Sequence, residues 1–153
     1  MEEHKPFLNA MIDLKKHLIP YKTNLQKVRI GGVEDGGYVI SEILPNIKYD
    51  ALYSYGSDDN IKFEKSFHEK FGVESYVYDH TIDGITDKPD YIHFFKEGVA
   101  SSTQLNLDTI DNHIIKNGHQ DCKNLFMQMD IEGHEWIDTL SQSQYLENFA
   151  QLT

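Results

Sequence analysis

The chain has 153 residues, 39% of them hydrophobic, and 25 acidic side chains against 14 basic ones give a formal net charge of -11 at pH 7. That size suits about one domain, and the acidic balance excludes nucleic acid as a partner, because phosphate-backbone binders present a basic face. Cys122 is the single cysteine, which rules out an intrachain disulfide and fits a reducing compartment.

The N-terminal MEEHKPFLNAMIDLKK is charged from its second residue and lacks an apolar run long enough for a signal peptide or a membrane span. The expectation is a soluble, cytoplasmic protein without a membrane partner. Phe7, Leu8, Met11, Ile12, Leu14 and Leu18 recur at helical spacing between Pro6 and Pro20. Residues 1–26 therefore read as an N-terminal helix and its connection, and 27–153 as the main domain. KVRI and YVI flank GGVEDGG, whose glycines suit a hairpin or tight loop. From residue 51 strands and helices alternate. ALYSYG (51–56) is a strand, and IKFEKSFHEKF (61–71) a helix with Phe63, Phe67 and Phe71 on one face, capped by Asp58, Asp59 or Asn60. SYVYD (75–79) and IHFFKEGV (92–99) read as strands, and LDTIDNHIIKN (107–117) as a helix capped by Asp108 and ended by Gly118. NLFMQMDI (124–131) is the next strand, and a further helix starts near His134, with Trp136, Ile137 and Leu140 as its apolar face. Such alternation predicts an α/β fold with a mostly parallel sheet, whose ligands bind beyond the carboxyl ends of the strands.

That rule brings Gly56, Asp79 and Asp130 to one crevice. Asp79 follows Gly56 by 23 residues, close to the roughly 20 that separate a glycine turn from a ribose-binding acid in nucleotide-binding βαβ units. An acid at a strand end is as often a turn former or helix cap. The loop YGSDDN holds one glycine and sets Asp58 and Asp59 where a dinucleotide's pyrophosphate would meet the helix, which argues against a dinucleotide oxidoreductase. A cationic ligand without phosphate, such as S-adenosylmethionine (SAM), tolerates those acids.

RIGGVEDGGYVI, ALYSYGSDDNIKFEKSF, YVYDHT, LNLDTI and above all MQMDIEGHEW, in this order, resemble the FkbM-type SAM-dependent methyltransferases over about residues 27–153. The resemblance implies a Rossmann-like methyltransferase fold. In it Gly56, Ser57 and Asp58 lie against the methionine portion of SAM, Asp79 binds the ribose, Gly98 and Val99 border the adenine, and Asp130 and Glu132 line the crevice near the transferred methyl. It further implies O-methylation of a sugar or related small metabolite. The alternative is a non-catalytic SAM- or nucleotide-binding remnant of the fold.

A hydroxyl acceptor loses a proton on methylation, so Asp130, Glu132 and His134 are candidate bases, and Gly133 lets the backbone turn from strand to helix. The same three residues offer oxygen and nitrogen ligands for Mg²⁺ as an alternative role, and HEWID lacks the second histidine of a zinc-protease motif. The resembling family continues beyond ENFAQLT, so the sheet is expected to be incomplete at its C-terminal side, with only the start of a strand at 150–153. The fourth strand would then expose an edge, with Leu125, Met127 and Met129 on its faces, through which two chains could associate.

Overall fold

A computed structural model describes residues 22–42, 47–136 and 139–153. The expected N-terminal helix lies outside these residues, as does Ile137. The described chain opens with the hairpin that the glycines predict. Strands β1 (Lys27–Gly31) and β2 (Gly37–Ser41) pair antiparallel, from Lys27 opposite Ser41 to Gly31 opposite Gly37. The tight connection depends on Gly31, at φ 86°, where a Cβ would stand 2.1 Å from the Gly36 carbonyl oxygen.

Strands β3 (Leu52–Tyr55), β4 (Ser75–Tyr78), β5 (Ile92–Phe95), β8 (Leu125–Met129) and β9 (Phe149–Leu152) form one sheet in the order β5-β4-β3-β8-β9. Every neighbouring pair is parallel. The first of these strands in sequence is central, and the chain builds outward from it on both sides. The strand order therefore reverses at β3, and a crevice opens beyond its carboxyl end. Helix α1 (Lys62–Phe71) crosses between β3 and β4, and α2 (Ile110–Lys116) precedes β8.

Alternation along the strands divides the core. Leu52 and Phe126 pack with Phe63 and Phe67 of α1 and with Ile30 and Ile40 of the hairpin. Tyr53, Tyr55, Tyr78 and Met127 face the other way, onto Ile110 and Ile114 of α2. Each large side chain buried in this way contributes roughly 1.5–3 kcal/mol. Among the described residues no helix is long and apolar enough to cross a membrane.

Several local expectations are corrected. Helix α1 has no side-chain cap at its Ile61 N-cap, because Asp59 instead accepts hydrogen bonds from Thr86 N (2.8 Å) and Thr86 Oγ1 (3.0 Å). The strand expected over 92–99 breaks after Phe95, and Gly98–Val99 (β6) pairs with Leu107–Asp108 (β7) in a separate ribbon. Asp108 is thus a strand residue, and Thr109 caps α2 by accepting from Asn112 N at 3.1 Å. The helix expected from His134 is replaced by 3₁₀ turns at His134–Trp136 and Leu146–Asn148. Polar side chains there bond elsewhere: Ser143 Oγ donates to Asp111 Oδ1 (2.6 Å) and Asn148 Nδ2 to the Gln120 carbonyl (2.9 Å). Such bonds compete with helical pairing. Strand β9 runs from Phe149, with a register shift against β8 between Leu125 and Phe126. Strand β8 is therefore interior, and Leu125 and Met127 are fully buried rather than exposed.

Candidate functional site

The carboxyl ends of β3, β4 and β8 are tied laterally. Gly56 N donates to the Tyr78 carbonyl (3.1 Å), Asp79 N to that of Phe95 (3.2 Å) and Asp130 N to that of Tyr55 (3.0 Å). Gly56 has φ 76°, and a Cβ on it would lie 2.1 Å from the Asp130 carbonyl oxygen. The glycine is thus required both by its conformation and by the close approach of the next strand. Beyond β8 the chain turns through Glu132 at φ 60° and Gly133 at φ 91°, the sharp turn expected of Gly133. Asp58 also takes a positive φ, 51°. Two acids on facing loops hold a conformation that non-glycine residues seldom adopt.

A cavity of about 440 Å³ opens at these strand ends, within the roughly 300–1,000 Å³ usual for small-molecule sites. It brings together nearly every residue singled out from the sequence. Gly56 and Asp58 come from the first loop, Asp79 from the second, Gly98 and Val99 from β6, and Asp130, Glu132 and His134 from the turn after β8. Ser57 does not line it. Its hydroxyl donates to the Asp58 carbonyl (2.9 Å), and the residue borders a smaller cavity behind the loop. Sequence reasoning missed Tyr78, His80, Thr81, Leu107 and Ile131 on the same walls. For Tyr78, His80, Thr81 and Ile131 the only signal was adjacency to Asp79 or Asp130, and Leu107 was read as the start of a helix. Gly98 is held close, since a Cβ there would meet His80 Nδ1 at 2.5 Å and Leu107 Cδ2 at 2.6 Å.

Asp79 is buried and carries an organised set of donors. Its Oδ2 accepts from Asp58 N (2.9 Å), and Oδ1 from Thr81 N (2.8 Å) and Thr81 Oγ1 (2.6 Å). Burial pushes its carboxyl up, but the Thr81 and Asp58 hydrogen bonds outweigh this and hold it below the usual carboxylate value. A carboxylate has about four lone-pair sites. Three are taken, which leaves one on Oδ2 for a ligand.

The smaller cavity, about 200 Å³, shares the Gly56, Asp58, Asp130 and Glu132 wall and is closed by the hairpin and α1. Tyr38 of β2 donates to Asp130 Oδ2 at 3.0 Å. Burial, then the Asp130 hydrogen bond, push the Tyr38 phenol up to about 12, so it keeps its proton. Deeper in, Ser54 Oγ lies 2.5 Å from both Glu64 Oε1 and Gln128 Oε1. One hydroxyl proton cannot serve two acceptors. Burial pushes the Glu64 carboxyl up, against the pull of its hydrogen bond with Ser54. Sequence reasoning passed over Glu64, although an acid beside Phe63 on the apolar side of α1 was a visible signal.

Among the described residues, one set of three metal-ligating groups brings its atoms within 4.8 Å of one another: Glu97, Asp108 and His113. Asp130, Glu132 and His134, the residues considered for Mg²⁺, are not such a set. The Lys116 ammonium lies 3.0 Å from Glu97 Oε2 and 2.8 Å from Asp108 Oδ2. It supplies the positive charge that a metal ion would bring.

No protein-family model, curated protein or solved structure matches the chain. The functional reading therefore stands on the geometry of the strand-end crevice and on the motifs that line it.

Proposed function

We propose that the protein is a SAM-dependent methyltransferase that transfers a methyl group to a hydroxyl of a small, sugar-like metabolite. The observation that carries this reading is the convergence of Gly56, Asp79 and Asp130, from three adjacent parallel strands, on one cavity at the point where strand order reverses. The lining suits SAM. Val99, Leu107 and Ile131 give the apolar contact that an adenine ring needs, Asp79 offers an acceptor for a ribose hydroxyl, and Asp58, Asp130 and Glu132 favour a ligand with cationic centres.

Bound SAM would supply an electrophilic methyl whose S–C bond breaks, leaving the electron pair on sulfur, as the acceptor oxygen forms its bond to carbon. The chain's part is to position and to accept a proton. The lateral ties between β3, β4 and β8 fix the loops that bear the acids, so alignment does not have to be gained at the moment of reaction. Asp130, Glu132 and His134 stand at the cavity as acceptors for the hydroxyl proton. Tyr38 orients the Asp130 carboxylate by its hydrogen bond.

The reading is tested by calorimetry with SAM, S-adenosylhomocysteine and NAD. Binding of the first two and not of NAD is expected, whereas NAD binding without them would overturn it. Release of S-adenosylhomocysteine in the presence of an acceptor then separates an enzyme from a binding remnant.

A further inference from the structure

The smaller cavity is absorbed by neither the adenine nor the ribose assignment, and its chemistry is one-sided. Asp35, Asp58, Glu64, Asp130 and Glu132 bring five carboxyl groups to it, and neither lysine nor arginine lines it. Two buried oxygens of its lining residues, Glu64 Oε2 and Asn60 Oδ1, have no hydrogen-bond partner. Glu64 is 2% exposed, so this oxygen has lost bulk water without gaining a replacement, an unfavourable arrangement unless a ligand or ordered water supplies a donor. The carboxyl groups are too dispersed to form a three-ligand metal set. The missing donors therefore fit an extended organic molecule better than a single ion.

From these observations, and resting on the methyl-transfer reading of the larger cavity, we infer that the smaller cavity receives the methyl acceptor, and that this acceptor presents hydroxyl and ammonium donors and carries no phosphate or carboxylate. The Gly56, Asp58, Asp130 and Glu132 wall is common to both cavities, which makes their two ligands neighbours. A hydroxyl entering from the hairpin side reaches the acids of the MDIEG turn without displacing a ligand from the adenine side. Its oxygen gains the methyl carbon, the electron pair of the broken bond stays on sulfur, and its proton passes to a carboxylate of the common wall. Glu64 Oε2 and Asn60 Oδ1 accept hydrogen bonds from the rest of the molecule, and Asp35 at the rim favours a positive charge. Repulsion from the same carboxylates turns away phosphorylated or acidic sugars.

Glucosamine, which has hydroxyl and ammonium groups, and glucose 6-phosphate serve as probes, titrated by calorimetry into the protein saturated with S-adenosylhomocysteine. Glucosamine should bind and glucose 6-phosphate should not. Asp35→Ala and Asn60→Ala lie outside the larger cavity. Each should weaken glucosamine at least fivefold while leaving S-adenosylhomocysteine affinity within twofold. Glu64→Leu should abolish glucosamine binding, with retained S-adenosylhomocysteine affinity showing that this variant is folded. Equal binding of glucose 6-phosphate, no glucosamine binding by protein that does bind S-adenosylhomocysteine, or unchanged glucosamine affinity in Asp35→Ala and Asn60→Ala would overturn the inference. Failure of S-adenosylhomocysteine itself to bind would overturn the methyl-transfer reading from which it starts.

Discussion

Asp79 holds two loops together as well as facing the cavity, so its removal has two separable effects. Asp79→Ala leaves the amides of Asp58 and Thr81 without their acceptor, and unfolding free energy should fall by about 1–3 kcal/mol in denaturant titration. Affinity for S-adenosylhomocysteine should drop as well, by about 1.5–3 kcal/mol in calorimetry, if the remaining Oδ2 site takes a ribose hydroxyl. Unchanged affinity in the folded variant would restrict Asp79 to loop anchoring. Asp130→Asn and Glu132→Gln address the chemical step: turnover should fall by more than tenfold in either variant, with little change in cofactor affinity, because the lost interaction belongs to the transition state. The residues of this crevice were legible because strand-end position is a property of the local pattern. The donors on Asp79 were not, since they come from the backbone of Asp58, 21 positions before it, and from the backbone and hydroxyl of Thr81, two after it.

At the scale of elements, α2 and the β6–β7 ribbon hold an ion cluster of Glu97, Asp108, His113 and Lys116. His113 is fully buried, stacked on Tyr78 at a centroid distance of 3.9 Å, and its Nε2 is 3.2 Å from Glu97 Oε2 without the alignment of a hydrogen bond. Burial, opposed by Glu97 and Asp108, pulls the imidazole down to about 4. Between the ordinary imidazole value near 6.5 and about 4, the unfolded chain binds a proton that the folded chain refuses. Stability should therefore fall as pH drops through this window. Asp108 adds a loss at lower pH. Burial alone would raise its carboxyl, but Lys116, Thr103, Asn112 and Thr109 hold it far below the usual value, so its protonation is disfavoured in the folded state. Melting temperatures from pH 7 down to 4.5 should decline, and His113→Gln should flatten that decline. Little of this cluster could be read from the sequence. LDTIDNHIIKN has helical spacing, yet Asp108 pairs with Val99 in a ribbon, a contact that local propensity does not encode. The helix expected after MDIEG failed for a related reason, because Ser143, Gln144 and Asn148 bond to distant residues.

Over the whole molecule, the alternation of apolar runs and helical segments was enough to predict the parallel sheet and the crevice at its strand ends. The pairing of β9 with β8 was expected as well, but β9 begins at Phe149, one residue before the expected start, and covers the edge of β8 that was expected to be open. With the amide oriented to satisfy both contacts, Gln151 donates to the Ser41 carbonyl (3.0 Å) and accepts from Ser41 N (3.1 Å), which ties β9 to the hairpin. Pairing of two chains along the outer side of β9 should give a sedimentation coefficient that rises with concentration. A single concentration-independent species would exclude it.

The lateral ties at the strand tips have a consequence for how the molecule breathes. The amide hydrogens of Gly56, Asp79 and Asp130 point into neighbouring strands of the central sheet, so each can exchange with solvent only when that sheet opens. The Gly32 amide, bonded across the short hairpin connection to the Gly36 carbonyl at 3.1 Å, can be released by separating the turn alone. In deuterium oxide the three strand-tip amides should rank with the slowest in the protein and report the free energy of global unfolding, while Gly32 exchanges orders of magnitude sooner. A ligand spanning both cavities should slow Gly32 far more than the strand tips, since only the hairpin side has a low-energy opening left to suppress.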